Sequence, residues 1–296
     1  MAIEKVVVAG GGVLGSQIAF QTAYCGFDVT IWLRSEGSIG RTQPKIDSVY
    51  KSYIEAIEGM ADGSGTWCAG IADSNTPFNK EACLAKVEQA YNNLKLELDM
   101  AKAVSDADLV IESMSEDPKA KIDVYQKLAP LLPEKALLAS NSSTLLPSQF
   151  AKFTGRPEKY GSLHFANSIW KNNTAEVMGH DGTSKETFEK LMEFANQIRM
   201  IALPVRKEKS GYLLNSMLVP FLLSGLDLWA SGVSDPKSID IAWEHGTGAP
   251  KGPFRIIDTV GLPTAYNIVL QFQSVPGLLN PLFKKMMLPY NYKTIA

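Results

Sequence analysis

The stretch KVVVAGGGVLG, residues 5–15, decides how the chain is read. Lys5 to Ala9 is a short run of β-branched and small apolar residues, the pattern of a strand buried on both faces. It runs into Gly10-Gly11-Gly12-Val13-Leu14-Gly15, a G-x-G-x-x-G at the junction between that strand and a helix over Leu14 to Tyr24. Each glycine has a physical task there. Gly10 permits the tight turn, Gly12 lets backbone approach a pyrophosphate, and Gly15 lets the helix pack closely on the strand. The helix start at Val13, Leu14 and Gly15 offers N–H groups and a partial positive charge to phosphate. A second strand follows from Asp28 to Leu33, so the stretch predicts a Rossmann-type dinucleotide-binding unit.

An NAD site of this kind ordinarily carries Asp or Glu at the end of the second strand, to hold the ribose 2′-hydroxyl. Here that position is Leu33, followed by Arg34 and Ser35. Leucine offers the diol no acceptor, whereas an arginine and a hydroxyl suit a 2′-phosphate through charge-assisted hydrogen bonds. NADP is therefore favoured over NAD, with Arg41 a second candidate phosphate ligand. The alternative is that Arg34 is a solvated loop residue.

Working outward, residues 46–103 show helical periodicity broken near Gly63-Ser64-Gly65 and Asn75-Thr76-Pro77, which predicts a pair of inserted helices. Asp108 to Glu112 and Leu137 to Ser140 read as further buried strands, separated by a helix over Lys119 to Leu132. Alternating strands and helices predict an α/β fold with a doubly wound parallel sheet, whose ligands lie beyond the strands' carboxyl ends. Ser113, Glu116 and Asn141 to Thr144 fall there, although turn chemistry alone would also place Asn and Ser at such points. From about Val205 the pattern turns helical, with helices over Leu213 to Leu228, Ile239 to Glu244 and Thr264 to Phe272. Pro220 should kink the first of these, and Gly246, Gly248, Pro250, Gly252 and Pro253 read as a rigid structural connection. The expected domains are 1–204, the dinucleotide-binding unit with its helical insertion, and 205–296, an all-α substrate and dimerisation domain.

The chain has three histidines, of which His180 and His245 sit in polar, glycine-flanked settings. His164 lies in SLHFAN, and Glu176 lies in the apolar run TAEVM. A glutamate inside a strand-like run is costly unless paired. If the two meet across adjacent strands, the carboxylate fixes the imidazole tautomer and raises its basicity, as a base taking a proton from an alcohol requires. The competing reading is a structurally satisfied histidine.

Composition narrows the classes. Over 296 residues, 45% are apolar, 20% are charged and the net charge is −2, so there is material for a sizeable core and no field to draw nucleic acid or a membrane surface. Three cysteines without metal-ligand or redox spacing suggest no metal and a reduced, cytoplasmic setting. No charged n-region opens the chain, and the longest uncharged stretch, Ser210 to Leu226, reads as a buried helix.

At this point the motifs resemble a known family, the 3-hydroxyacyl-CoA dehydrogenases, along nearly the whole length. They are GGGVLGSQIA (10–19), Ser140-Asn141-Ser142-Ser143, LHFAN (163–167) with Glu176 beyond it, SGYLLNSMLVPFL (210–222) and GTGAPKGPFRIID (246–258). VLGSQIAFQTA, NSSTLLPS and NNTAEVM look closest to a subgroup that includes diketo-ester reductases. The resemblance implies hydride transfer between a nicotinamide and a 3-hydroxyacyl or 3-ketoacyl group. It makes His164 the acid/base, Glu176 its partner, and Ser143 and Asn215 the residues that hydrogen-bond the reacting oxygen. Asn167 matches a position near the nicotinamide, and Glu116 and Lys121 match cofactor-contacting positions. It also implies a homodimer. The sequence departs from the family at Leu33, at Ser216 where an arginine is expected, and at its end, MMLPYNYKTIA. The inserted helices give no clear match to the CoA-contacting serine and lysine.

The leading expectation is a 3-hydroxyacyl-CoA (3-hydroxybutyryl-CoA) dehydrogenase acting on a small acyl substrate, possibly a CoA thioester. The alternative substrates are free 3-keto or diketo acids and esters. A 3-hydroxyacid dehydrogenase related to the 6-phosphogluconate enzymes would need a catalytic lysine where Asn215 stands. A non-catalytic NADP sensor would have no use for His164, Glu176, Ser143 and Asn215 together.

Overall fold

Strand β1 (Lys5–Ala9) alternates its side chains between two cores. Val6 and Val8 pack on one face of the sheet with Ile18, Phe20 and Ile31. Val7 and Ala9 pack on the other with Val110, Tyr125 and Leu138. Burial on both faces is what an uninterrupted apolar strand predicts. The computed structural model describes residues 2–262 and divides into two compact units, Met1–Tyr212 and Leu213–Ala296.

In the first unit, α1 (Val13–Tyr24), β2 (Asp28–Trp32), α2 (Glu36–Asp62), α3 (Lys80–Asn93), β3 (Lys95–Glu97) and α4 (Met100–Val104) follow β1. Then come β4 (Leu109–Glu112), α5 (Pro118–Leu128), β5 (Leu137–Ser140), β6 (Tyr160–Phe165), β7 (Thr174–Met178), α6 (Lys185–Gln197) and β8 (Ile201–Val205). The eight strands run in the order β3-β2-β1-β4-β5-β6-β7-β8. All neighbouring pairs are parallel except β6 with β7. The carboxyl ends of β1, β4, β5 and β6 therefore share one edge, where the fold class places its ligands.

Three local differences from the sequence reading have physical causes. Helix α2 begins at Glu36, nearly three turns before the periodicity becomes legible at Ile46, because Gly37, Gly40 and Pro44 hide its opening. Strand β3 and helix α4 are too short to carry a period, so the expected helix pair holds only α2 and α3. The break between units falls after Tyr212 and not at 204/205, since Val205 and Tyr212 pack with Met178 of β7.

The second unit contains α7 (Leu214–Ala230), α8 (Pro236–Thr247) and α9 (Pro253–Val260), packed around Leu222, Leu226, Ile239, Phe254 and Ile257. Pro220 stands inside α7 on an exposed position. The glycine- and proline-rich connection is a cap. Asp240 accepts the Phe254 and Arg255 N–H groups at the start of α9 (2.8 and 2.9 Å), and a Cβ on Gly252 would collide with it. The helix expected over Thr264 to Phe272 lies outside the described residues. Among the described residues, no helix is long and apolar enough to cross a membrane.

Candidate active site

Two of the three motif glycines meet close backbone at the turn, Gly10 and Gly15. Gly10 has φ +122° and a Cβ there would sit 2.5 Å from the Ser113 carbonyl oxygen, so only glycine makes this turn. A Cβ on Gly15 would strike the Gly10 carbonyl. Gly12 is different: a Cβ would meet nothing within 4 Å. It caps α1 with no side-chain bond to the first-turn N–H groups, and that turn carries no acid. Open space before an uncapped helix N-terminus fits a pyrophosphate held by Val13, Leu14 and Gly15.

A cleft of about 370 Å³ extends from these glycines across the end of β2. Its lining includes Arg34, Ser38, Arg41, Thr42 and Lys45, and no carboxylate. Leu33, where an acid would hold the ribose, is buried in the core. Ser38, Arg41 and Lys45 share one face of α2 because they are spaced three and four residues apart. Arg41 donates to Ser38 Oγ (2.9 Å), the Ser35 and Ser38 hydroxyls are 3.0 Å apart, and Lys45 Nζ donates to the Arg41 carbonyl (2.6 Å). Ser38 and Lys45 were not foreseen; the hidden start of α2 concealed that they face the same way as Arg41.

The second part of the site is built across β6 and β7. Antiparallel register sets His164 directly opposite Glu176, and His164 Nδ1 lies 2.8 Å from Glu176 Oε2. Both are buried, at 8% and 3% exposure, so the pair is largely shielded from water. The glutamate in an apolar run is thus paired, as the sequence requires. The Tyr212 ring stacks on the imidazole, with centroids 4.7 Å apart and planes 25° apart, a neighbour that no sequence signal announced.

Polar bonds join the loops along this edge. Asn141 donates to Ser113 Oγ (3.1 Å) and accepts the Phe165 N–H (3.3 Å), linking the ends of β4, β5 and β6. Ser143 gives its N–H (2.9 Å) and hydroxyl (3.4 Å) to Glu116 Oε1, and the Ser142 hydroxyl binds Glu116 Oε2 (2.7 Å). Gln17 of α1 accepts the Ser168 N–H (2.8 Å), tying the loop that carries the exposed Asn167 to the glycine helix. Asn215 stands half-buried in the first turn of α7, in the other unit.

Lys121 corrects the expectation made for it. At 1% exposure it points into the sheet domain, where its ammonium donates to both oxygens of Glu112 (2.8 Å each). Glu112, fully buried, also accepts the Met114 N–H and the Tyr125 and Ser140 hydroxyls (2.8, 2.8 and 2.9 Å). Burial, followed by the Glu112 charge, pushes the Tyr125 phenol well up, so it remains a neutral donor. Four donors make five hydrogen bonds to this one carboxylate and hold Lys121 inside the sheet domain.

A sequence model described as the NAD-binding domain of 3-hydroxyacyl-CoA dehydrogenase matches residues 5–209, and one for the C-terminal domain matches residues 211–290. The mitochondrial hydroxyacyl-coenzyme A dehydrogenase of Rattus norvegicus is 30% identical over 282 residues, covering 95% of this chain and 83% of that protein. The 3-hydroxybutyryl-CoA dehydrogenase of Clostridioides difficile is 29% identical, covering 96% and 93%. The solved structure of a diketoreductase, described by its dual catalysis of dicarbonyl compounds, is 44% identical, covers 97% and 92%, and has a TM-score of 0.78.

Proposed function

Since the chain belongs to the 3-hydroxyacyl-CoA dehydrogenase family, we propose that it interconverts 3-hydroxyacyl and 3-ketoacyl groups, as CoA thioesters, by hydride transfer with a nicotinamide cofactor. The buried His164–Glu176 pair, on the sheet edge that carries the glycine loop, is the observation that carries this reading. The bound nicotinamide supplies or accepts the hydride. In the oxidative direction His164 Nε2 takes the hydroxyl proton while Glu176 holds Nδ1–H and stabilises the imidazolium. Ser143, kept in place by Glu116, hydrogen-bonds the reacting oxygen and stabilises the charge that develops on it. Glu116 and Asn167 border the cofactor. Reduction runs the same steps backwards.

The cofactor is NADP in preference to NAD. Three cations and a serine around the end of β2, with no carboxylate in the lining, suit a 2′-phosphate and leave a free diol unheld. The enzyme works as a cytoplasmic homodimer. Its three free cysteines support a reduced compartment, and the exposed Met217, Leu228, Ile241 and Trp243 of α7 and α8 support a second copy as partner. A second reading, reduction of free diketo acids or esters, is supported by the 44% identity to a diketoreductase.

One assay separates these readings: reduction of acetoacetyl-CoA and of a free diketo ester, with NADPH and NADH in parallel. Turnover of the thioester with NADPH preferred is the expected outcome. An NADH preference refutes the phosphate clamp and leaves the chemistry. Reduction of the free ester alone moves the substrate to the second reading.

A further inference from the structure

The chain reaches Tyr212 in a conformation that tyrosine seldom takes. Gly211 has φ 80° and Tyr212 has φ 51°, two successive residues in the left-handed region, where a bulky side chain is strained. Such strain persists where the surroundings over-determine it, and it gathers at functional sites. Here the surroundings are Met178 of β7, Val205 of β8 and Leu146, which enclose a ring left only 1% exposed. The turn delivers that ring flat against the imidazole of His164.

We propose that Tyr212 is a positioning residue for the acid/base, its ring fixing the plane of the His164 imidazole. The bond to Glu176 holds the imidazole at Nδ1, at the ring's edge, and resists a small tilt out of the hydrogen-bond plane only weakly. A stacked aromatic face resists that tilt, and with it the error in where Nε2 points. Burial pushes the Tyr212 phenol well above its ordinary range, so the group stays neutral and acts through its ring. An isolated packing residue would need no left-handed backbone, because leucine on an ordinary turn would fill the same space.

The inference rests on His164 being the acid/base of the proposed reaction, and the test keeps the two apart. Full-length Tyr212→Met and Tyr212→Leu, which lack a ring, are compared with Tyr212→Phe, which keeps one. The readouts are kcat, KM for both substrates, and the His164 imidazole resonance, picked out of three histidines by its loss in His164→Ala. Removing the ring should lower kcat about 10-fold or more with cofactor KM held, and should move the resonance away from its ring-shifted position. Tyr212→Phe should restore both. Unchanged kcat and resonance in a merely less stable Tyr212→Met would overturn the proposal, as would equal damage in Tyr212→Phe. Absence of turnover in the unmodified chain strikes at the reaction itself and not at this role.

Discussion

Replacing Lys121 with methionine removes one charge from a pair sealed inside the sheet domain. The ammonium lies 2.8 Å from both Glu112 oxygens, and the two side chains are 1% and 0% exposed. Breaking a buried pair from one side costs about 3–5 kcal/mol, because the remaining charge stays desolvated. Three neutral donors, from Met114, Tyr125 and Ser140, still reach the carboxylate and put the loss at the lower end, about 3 kcal/mol. In a unit the size of Met1–Tyr212 this lowers Tm by about 6–12 °C. Denaturant and thermal unfolding of Lys121→Met, Glu112→Met and the double variant measure it, and the double variant should be more stable than the two single losses added together. Affinity for NADPH should stay within about 3-fold, since the ammonium faces the core and not the cleft. A large loss of cofactor affinity with Tm nearly unchanged would refute this reasoning and return Lys121 to the cofactor.

Two further outcomes test the glycine loop and the amino ends of β1 and β4. Gly12→Ala adds a methyl group where the chain leaves open space, so stability should change by less than about 0.5 kcal/mol while dinucleotide affinity falls about 10-fold or more; equal loss of both would contradict the cradle. Burial pushes the Asp108 carboxyl up, but Lys135 and the Lys5 and Glu4 N–H groups outweigh it and hold the carboxyl below its ordinary range. A depressed carboxyl contributes stability at pH above its unfolded value, about 3.9, and loses it as pH falls through the lower folded value. Asp108→Asn should therefore be less stable at neutral pH, by about 1–2 kcal/mol, with a flatter fall in stability below about pH 4. An unaltered acid slope would remove Asp108 from the acid response.

The parts of the fold that can be read in advance are those where burial leaves a local trace. β1, β4 and β5 are built of apolar residues up to their ends, and Gly10 and Gly15 each answer a separate steric demand. Glu176 betrays itself because a carboxylate in an apolar strand needs a partner, and the register of β6 and β7 supplies His164. The rest depends on geometry that a linear pattern does not encode. Ser38 and Lys45 join Arg41 only once α2 is known to start at Glu36. Glu112 reads as the last residue of an apolar strand, and nothing in its spacing to Lys121 reveals an ion pair. Tyr212 reaches His164 through two left-handed residues, of which only Gly211 is visible as a permissive position. Helix α9, which begins at the second proline of the connection, is capped by Asp240 of α8, whose carboxylate accepts its first N–H groups.

The most direct test of the account is single-turnover hydride transfer from NADPH to acetoacetyl-CoA by His164→Ala, with NADPH binding followed on the same sample by fluorescence. Binding of the dinucleotide, whose cleft does not include His164, should be unchanged, and the rate should be lower by about 10²–10⁴-fold. A variant that transfers hydride within about 10-fold of the unmodified rate would contradict it, because the proton would then be moving through some group other than the His164–Glu176 pair.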